Sequence, residues 1–128
     1  MTLPRISSAQ QLRERCAEHS STVCDCPLKR CLGWESLGGA DWDESQLPAV
    51  ATLRDAEVLE PTFEEHHPNG TRYESPLAPV SVAHFPVNRC DLHHCLRCGQ
   101  FVLRYTEYGG YYVDPRGRRL DPTMIVDD

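Results

Sequence analysis

No run in the 128-residue chain approaches the roughly 18 uninterrupted apolar residues of a membrane span. Residues 1–11 hold no basic stretch followed by an apolar one. The first absence argues against a chain that crosses a membrane and the second against a secretory leader, so the expected location is the cytoplasm. Bulky apolar side chains are scarce: Leu, Ile, Val and Phe together number 27, just above the roughly one-fifth share at which a charged chain drifts toward disorder. A thin core is expected, one that a metal cross-link would reinforce. Lysine is all but missing, Lys29 being its single occurrence, a bias that a G+C-rich genome produces and that carries no functional meaning. Internal repeats and low-complexity tracts are lacking as well.

What is present is cysteine and acid. The chain has seven cysteines and 19 Asp+Glu against 13 Lys+Arg, a net charge of −6. In a reducing compartment seven cysteines read as metal ligands plus spare thiols rather than as a disulfide framework, and the odd count agrees. The length is that of one domain, 1–128, in which residues 1–20 hold a helix, 21–50 an irregular acidic segment and 51–128 a set of hairpins. Ser7 or Ser8 caps the helix, whose apolar positions include Leu12 and Cys16 and which runs to about His19. From Ser20 to Gly39 the periodicity fails, and Pro27, Gly33, Gly38 and Gly39 mark it as irregular.

Turn chemistry predicts the rest. Pro68-Asn69-Gly70 has the dipeptide of a type I′ turn and would join a strand within Glu57–Glu65 to one at Thr71–Ser75. Val80, Val82 and Phe85 suggest a short strand stopped by Pro86. Gln100–Thr106 is rich in β-formers, Gly109-Gly110 can turn, and Tyr111–Val113 returns. Asp114-Pro115-Arg116-Gly117 reads as a type I turn, and the tail from Leu120 either packs through Met124 and Ile125 or frays. The expected fold is α+β: a small antiparallel sheet built from hairpins, with an N-terminal helix and a zinc knuckle before the last hairpin.

That knuckle is Cys95-Leu96-Arg97-Cys98-Gly99. Two thiolates three positions apart, with Gly after the second, can face one metal while backbone N–H groups turn toward the sulfur charge. Cys90 stands as the third ligand of one structural Zn2+ and His84 as the fourth. His93, His94, His66, His67 or a thiol from Cys24, Cys26 or Cys31 are alternatives for that fourth place. Cys24, Cys26 and Cys31 with Cys16 or His19 form a weaker second candidate. Against zinc stand two plainer readings, buried thiols acting as small hydrophobes and a redox pair at Cys95 and Cys98.

Between Gly33 and His66 nine acids, Glu35, Asp41, Asp43, Glu44, Asp55, Glu57, Glu60, Glu64 and Glu65, face Arg54 alone. Such a segment is either a solvated face or a surface for a basic partner. Asp41, Asp43 and Glu44 with Trp42 are the candidate contact residues, Trp42 serving as an apolar anchor. Nucleic acid is the alternative partner. Arg89, Arg97, Arg104, Arg116, Arg118 and Arg119 alternate with Tyr105, Tyr108, Tyr111 and Tyr112, a mixture suited to phosphates and bases, although the overall negative charge opposes it. A zinc deaminase would need His-x-Glu and Pro-Cys-x-x-Cys, and neither occurs. Three thiolates also make zinc a poor Lewis acid, so no enzyme is expected.

The runs Asn88-Arg89-Cys90-Asp91, Cys95-x-x-Cys98 and Leu103–Tyr112 resemble a group of small bacterial proteins. The likeness extends to Leu32-Gly33-Trp34 and His67–Tyr73, covering roughly residues 32–125, and it implies no activity. Locally the knuckle and hairpin resemble zinc ribbons, whose second Cys-x-x-Cys pair this chain lacks. Size and charge together point to a zinc-stabilised protein-binding module, comparable with immunity proteins that plug a toxin's active site.

Overall fold

The computed structural model describes residues 3–16, 31–38, 42–108 and 111–127. One helix, α1 (Ala9–Cys16), precedes five strands: β1 (Glu35–Ser36), β2 (Ala49–Thr52), β3 (Asp91–His94), β4 (Phe101–Tyr108) and β5 (Val113–Arg119). The strands form one antiparallel sheet in the order β1-β5-β4-β3-β2. The α+β class expected from the sequence is therefore the observed one. The helix begins where the serines place it: Ser8 Oγ accepts from the Gln11 N–H at 3.2 Å, and Gln11 Oε1 reaches back to the Ser7 N–H at 2.7 Å. One orphan donor of the first turn, the Gln11 N–H, is thereby satisfied, and the Ser7 N–H just before the cap gains a partner. Its buried face is Ala9, Leu12 and Cys16; the expected continuation to His19 lies outside the described residues.

Alternation along β4 decides which residues meet. Phe101, Leu103 and Tyr105 point to one face, where with Leu92 of β3 they pack on Ile6, Leu12, Trp34, Leu53, Val80, Cys90, Leu120 and Ile125. Val102 points to the other, into a smaller cluster of Cys31, Leu37, Leu47, Cys95 and Cys98. The sheet thus carries an apolar cluster on each face. Trp34 sits in the larger one, edge-on to Tyr105 at 5.2 Å and stacked on Tyr73 at 6.1 Å. Gly33 makes that fit possible, since a Cβ there would stand 2.2 Å from the Glu74 carbonyl oxygen.

Several expected elements differ. Asn69-Gly70 does turn, with the Gly70 N–H donating to His67 O at 3.0 Å, but no strand flanks it, and residues 53–86 run as turns and extended chain. Val80 contributes only an isolated bridge to Ile125. Within the segment read as irregular, β1 and the start of β2 are strand. Asp114–Gly117 is no turn, because β5 runs straight through it opposite β4. Pro115 fits there because Leu37, one residue beyond β1, faces it. The Leu37 N–H donates to Pro115 O at 2.8 Å, and Leu37 O, which a non-proline residue at 115 would serve, instead accepts from Arg104 Nε at 3.1 Å. A proline in a strand is tolerated where another donor fills its place.

Arg118 fixes the chain that crosses the larger core. It is 2% exposed, and its guanidinium donates to Pro76 O at 3.0 Å and Ala78 O at 2.7 Å. Ala78 leads into Val80, whose N–H and carbonyl bond Met124 O and the Val126 N–H. The C-terminal residues are packed through Ile125 as expected.

Candidate functional site

The knuckle follows β3 and closes on the start of β4. The Cys95 N–H donates to Gln100 O at 2.8 Å and the Gly99 N–H to Cys95 O at 2.8 Å, with Gly99 at φ +76, a conformation that glycine adopts without strain. Residues 46–48 brace it, Gln46 O accepting from the Leu96 N–H and Pro48 O from the His94 N–H. Burial pushes the Cys95 thiol up. Hydrogen bonds from Gln46 Nε2, at 3.5 Å, from the backbone of Cys98 and Arg97 and from the Cys98 thiol outweigh it and bring the group down to about 7. N–H groups turned on a sulfur are the arrangement a thiolate ligand requires.

The other expected ligands lie elsewhere. Four residues of extended β3 stand between Cys90 and Cys95, which puts their Cα atoms roughly 16 Å apart. Cys90 belongs to the larger core, where its thiol donates to Pro86 O at 3.3 Å and burial raises it well above the usual thiol range. Cys16 is likewise pushed up, to about 12, by burial. Both read as small core hydrophobes. His84 Nδ1 pairs with Ser81 Oγ at 2.6 Å and its ring stacks on His66 at 4.8 Å. His84 lines a narrow cavity beside Trp34, Tyr73 and Phe85, residues of the larger core and its margin. The structure therefore brings Cys95 and Cys98 together and brings neither Cys90 nor His84 to them. Cys31 is the thiol that joins them, fully buried in the same cluster. Among the described residues no three His, Cys, Asp or Glu side chains are arranged to hold a metal ion; Cys24 and Cys26 lie outside those residues.

The remaining histidines among the described residues are engaged in packing or hydrogen bonds. His93 Nδ1 donates to Leu47 O at 2.9 Å, and burial holds the ring below its ordinary value and so neutral. His94 stacks on Phe101 at 4.6 Å, and His67 bridges Thr71 Oγ1 and Glu65 Oε1. His93 lines a groove of about 370 Å³ on the face that also carries the cysteine cluster, with Glu44, Arg54, Arg89, Asp91, Arg104 and Tyr108 around it. Trp42 lies near its edge rather than standing free as an anchor. The indole meets His93 edge-on at 4.8 Å, lies under the Arg104 guanidinium at 4.1 Å and donates from Nε1 to Glu44 at 3.2 Å. Asp43 is exposed, and its carboxylate, held below the usual range by the Ser45 hydroxyl and backbone N–H, shapes the local turn. Asp41 lies outside the described residues.

The surface that the sequence reading missed is the strap 55–65. Its backbone is tied down: Asn88 Nδ2 donates to Thr62 O at 3.0 Å, Arg89 to Pro61 O at 2.7 Å, and the Phe85 N–H to Glu64 O at 2.9 Å. Its apolar side chains nevertheless face solvent, Leu59 at 94% and Phe63 at 73% exposure, with Val58 beside them. Exposed Glu57, Glu60, Glu64 and Glu65 interleave with them. The apolar residues were visible in the sequence, but they read there as one strand of a hairpin.

The arginines expected to meet nucleic acid are largely occupied within the chain. Arg118 is buried on carbonyls, Arg116 pairs with Asp114 at 3.0 Å and Tyr73 Oη at 3.3 Å, Arg104 is held by Leu37 O and Trp42, and Arg89 lies over Phe63 at 4.0 Å. Tyr105 is buried and hydrogen-bonded to Tyr73. No helix of the described residues is long and apolar enough to cross a membrane. No family model, curated protein or solved structure matches the chain.

Proposed function

We propose that the chain is a non-catalytic protein-binding module, stiffened by one zinc ion at the Cys95–Cys98 knuckle, whose strap 55–65 engages a basic partner. The observation that carries this reading is the strap itself: a backbone fixed at residues 61–64 that presents Leu59 and Phe63 outward among four glutamates. Large apolar side chains on an exposed and anchored segment mark an interface more often than a solvated loop. Carboxylates around them select a partner with positive charge and speed its approach. Exposed Asp43 and Glu44 extend the acidic surface, while Trp42 serves to pack Arg104 and His93. An inhibitor that covers a basic cleft would have this chemistry.

The test compares the wild type with two variants, Leu59→Ser/Phe63→Ser and Glu57→Gln/Glu60→Gln/Glu64→Gln, in binding to proteins captured from a lysate. The apolar double variant should lose the captured partner. The charge variant should slow association and flatten its dependence on salt. A partner held equally by all three proteins would remove the strap from the interface.

A further inference from the structure

β3 and β4 pair only as far as Asp91 opposite Arg104, while β4 continues to Tyr108. The notch beside the far half of β4 is the groove of about 370 Å³, a volume that suits a small organic molecule. Alternation along the strands turns Arg104, Thr106 and Tyr108 of β4 and Asp91 and His93 of β3 to the same face. Arg54, after β2, and Arg89, before β3, complete the wall. A guanidinium carries five N–H donors, and the chain uses few of those gathered here. Arg104 gives Nε to Leu37 O, Arg89 gives Nη2 to Pro61 O, and Arg54 gives Nε and Nη2 to Asp91 at 3.1 and 3.2 Å. These bonds hold the three side chains in place and leave most of their terminal N–H groups unspent. Arg89 Nε is buried and meets no acceptor among the described residues. The acids of the groove are Asp91, already matched by Arg54, and Glu44, which accepts from the Trp42 indole and acts on Arg104 only through space. Among the described residues neither Arg89 nor Arg104 has a carboxylate within ion-pair distance. A chain of net charge −6 thus keeps two unpaired guanidiniums in one concave site.

We infer that the groove binds a small molecule through a phosphate group, with Arg89, Arg104 and Nη1 of Arg54 as the donors. One guanidinium fork satisfies a planar carboxylate, whereas guanidiniums that line one groove from three segments suit the several oxygens of a phosphate. The groove is larger than a phosphate alone requires. Tyr108, exposed at its rim, offers a ring on which a flat part of the ligand can lie. A nucleoside monophosphate has this chemistry. The inference goes beyond the strap interface and stands without it. The two are neighbours all the same, because Arg89 also lies over Phe63 at 4.0 Å, so a ligand in the groove would bear on the strap's anchor.

The experiment titrates adenosine monophosphate into the full, isotope-labelled chain at low salt and follows backbone amides and arginine Nε–H groups by NMR. Saturable shifts are expected at Asp91, His93 and Thr106 and at the Nε–H of Arg89 and Arg104, with exposed Arg97 unmoved. Adenosine and acetate should each bind at least about tenfold more weakly, the loss that follows when charge-assisted hydrogen bonds are removed. Inorganic phosphate should compete for the same shifts at higher concentration. Thr106→Glu adds a carboxylate to the groove without removing any of the contacts above and should weaken the monophosphate by about tenfold or more, as should Arg104→Gln. If Arg104→Gln fails to fold, Thr106→Glu and the wild-type shifts decide. The absence of a saturable shift, shifts of equal size at Arg97, acetate held as tightly as the monophosphate, or no competition by phosphate would each overturn the inference. So would a single-stranded oligonucleotide bound tightly by a groove that ignores the monophosphate, since the ligand would then be nucleic acid.

Discussion

Replacing Arg118 with Met removes a buried cation while keeping most of the side-chain volume. In the wild type that guanidinium is 2% exposed and one terminal nitrogen serves both Pro76 O and Ala78 O. Burial depresses its pKa, with Asp121 opposing that by a lesser amount, but an arginine guanidinium stays protonated in proteins, so a cation is buried here. Hydrogen bonds from a charged donor contribute about 1.5–3 kcal/mol each, and losing both leaves two carbonyls without a donor. Against this, a cation with no contacting carboxylate carries a desolvation cost of a few kcal/mol that Met does not. The difference is a net loss of about 2–3 kcal/mol. For a chain of this length that corresponds to a melting temperature lower by about 8–12 °C. Thermal unfolding followed by circular dichroism reads the shift, and amide exchange should quicken at Ala78 and Val80, which Arg118 secures. Arg97→Met, at an exposed position, serves as the control and should change little. A melting point for Arg118→Met within about 2 °C of the wild type would show that desolvation cancels the two bonds, and the reasoning would fail.

Three further outcomes follow from single contacts. Gly33→Ala places a Cβ 2.2 Å from a backbone oxygen, which no rotamer can relieve, and should cost about 1–3 kcal/mol; an unchanged urea midpoint would mean that residues 72–76 yield freely. His93 is held below its ordinary value by burial, opposed by the Leu47 carbonyl, Asp91 and Glu44 and reinforced by Arg104. As pH falls below about 6.5 the unfolded chain therefore binds the proton first and stability declines until the folded value is passed. His93→Asn keeps a donor for Leu47 O and should flatten stability between about pH 7 and pH 5, and a variant as acid-sensitive as the wild type would place the effect on another histidine. Pro115→Thr gives Leu37 O a backbone donor, so the Arg104 Nε–H resonance should shift and exchange faster; an unmoved resonance would show that Arg104 never depended on the proline.

Local chemistry made some of this legible and topology hid the rest. Ser8 and Leu12 announced the helix, and the β-formers of Phe101–Tyr105 announced β4, because caps and β propensity act within a few residues. The Cys95–Cys98 pair was visible for the same reason, its geometry being set by its own loop. Cys31 was weighed only as one alternative among several, because what brings it to the knuckle is a hydrogen bond to Arg119, 88 positions along the chain. Cys90 misled because five positions in sequence are close on a loop but far apart along a strand. Pro115-Arg116-Gly117 misled in the opposite sense. Asp114, Pro115 and Gly117 all favour a turn, yet β5 runs through them because Leu37 faces the proline and Arg104 replaces its missing donor.

The arginine substitution in that ladder ties the two ends of one sheet face together. Arg104 spans from Leu37 O to the face of Trp42, and Leu37 is a member of the cysteine cluster while Trp42 packs against it. The same guanidinium lines the groove with Glu44, Arg54 and His93. A metal at the cysteine end would hold Leu37 and Trp42, and through them would set where Arg104 and His93 stand in the groove. Loss of the proposed metal would therefore be felt in the groove first, and at the strap only by way of Arg89, which lines the groove and also donates to Pro61 O. The two surfaces thus share Arg89 and are coupled through it, while the strap also rests on the larger core where Phe63 meets Phe85 at 5.5 Å.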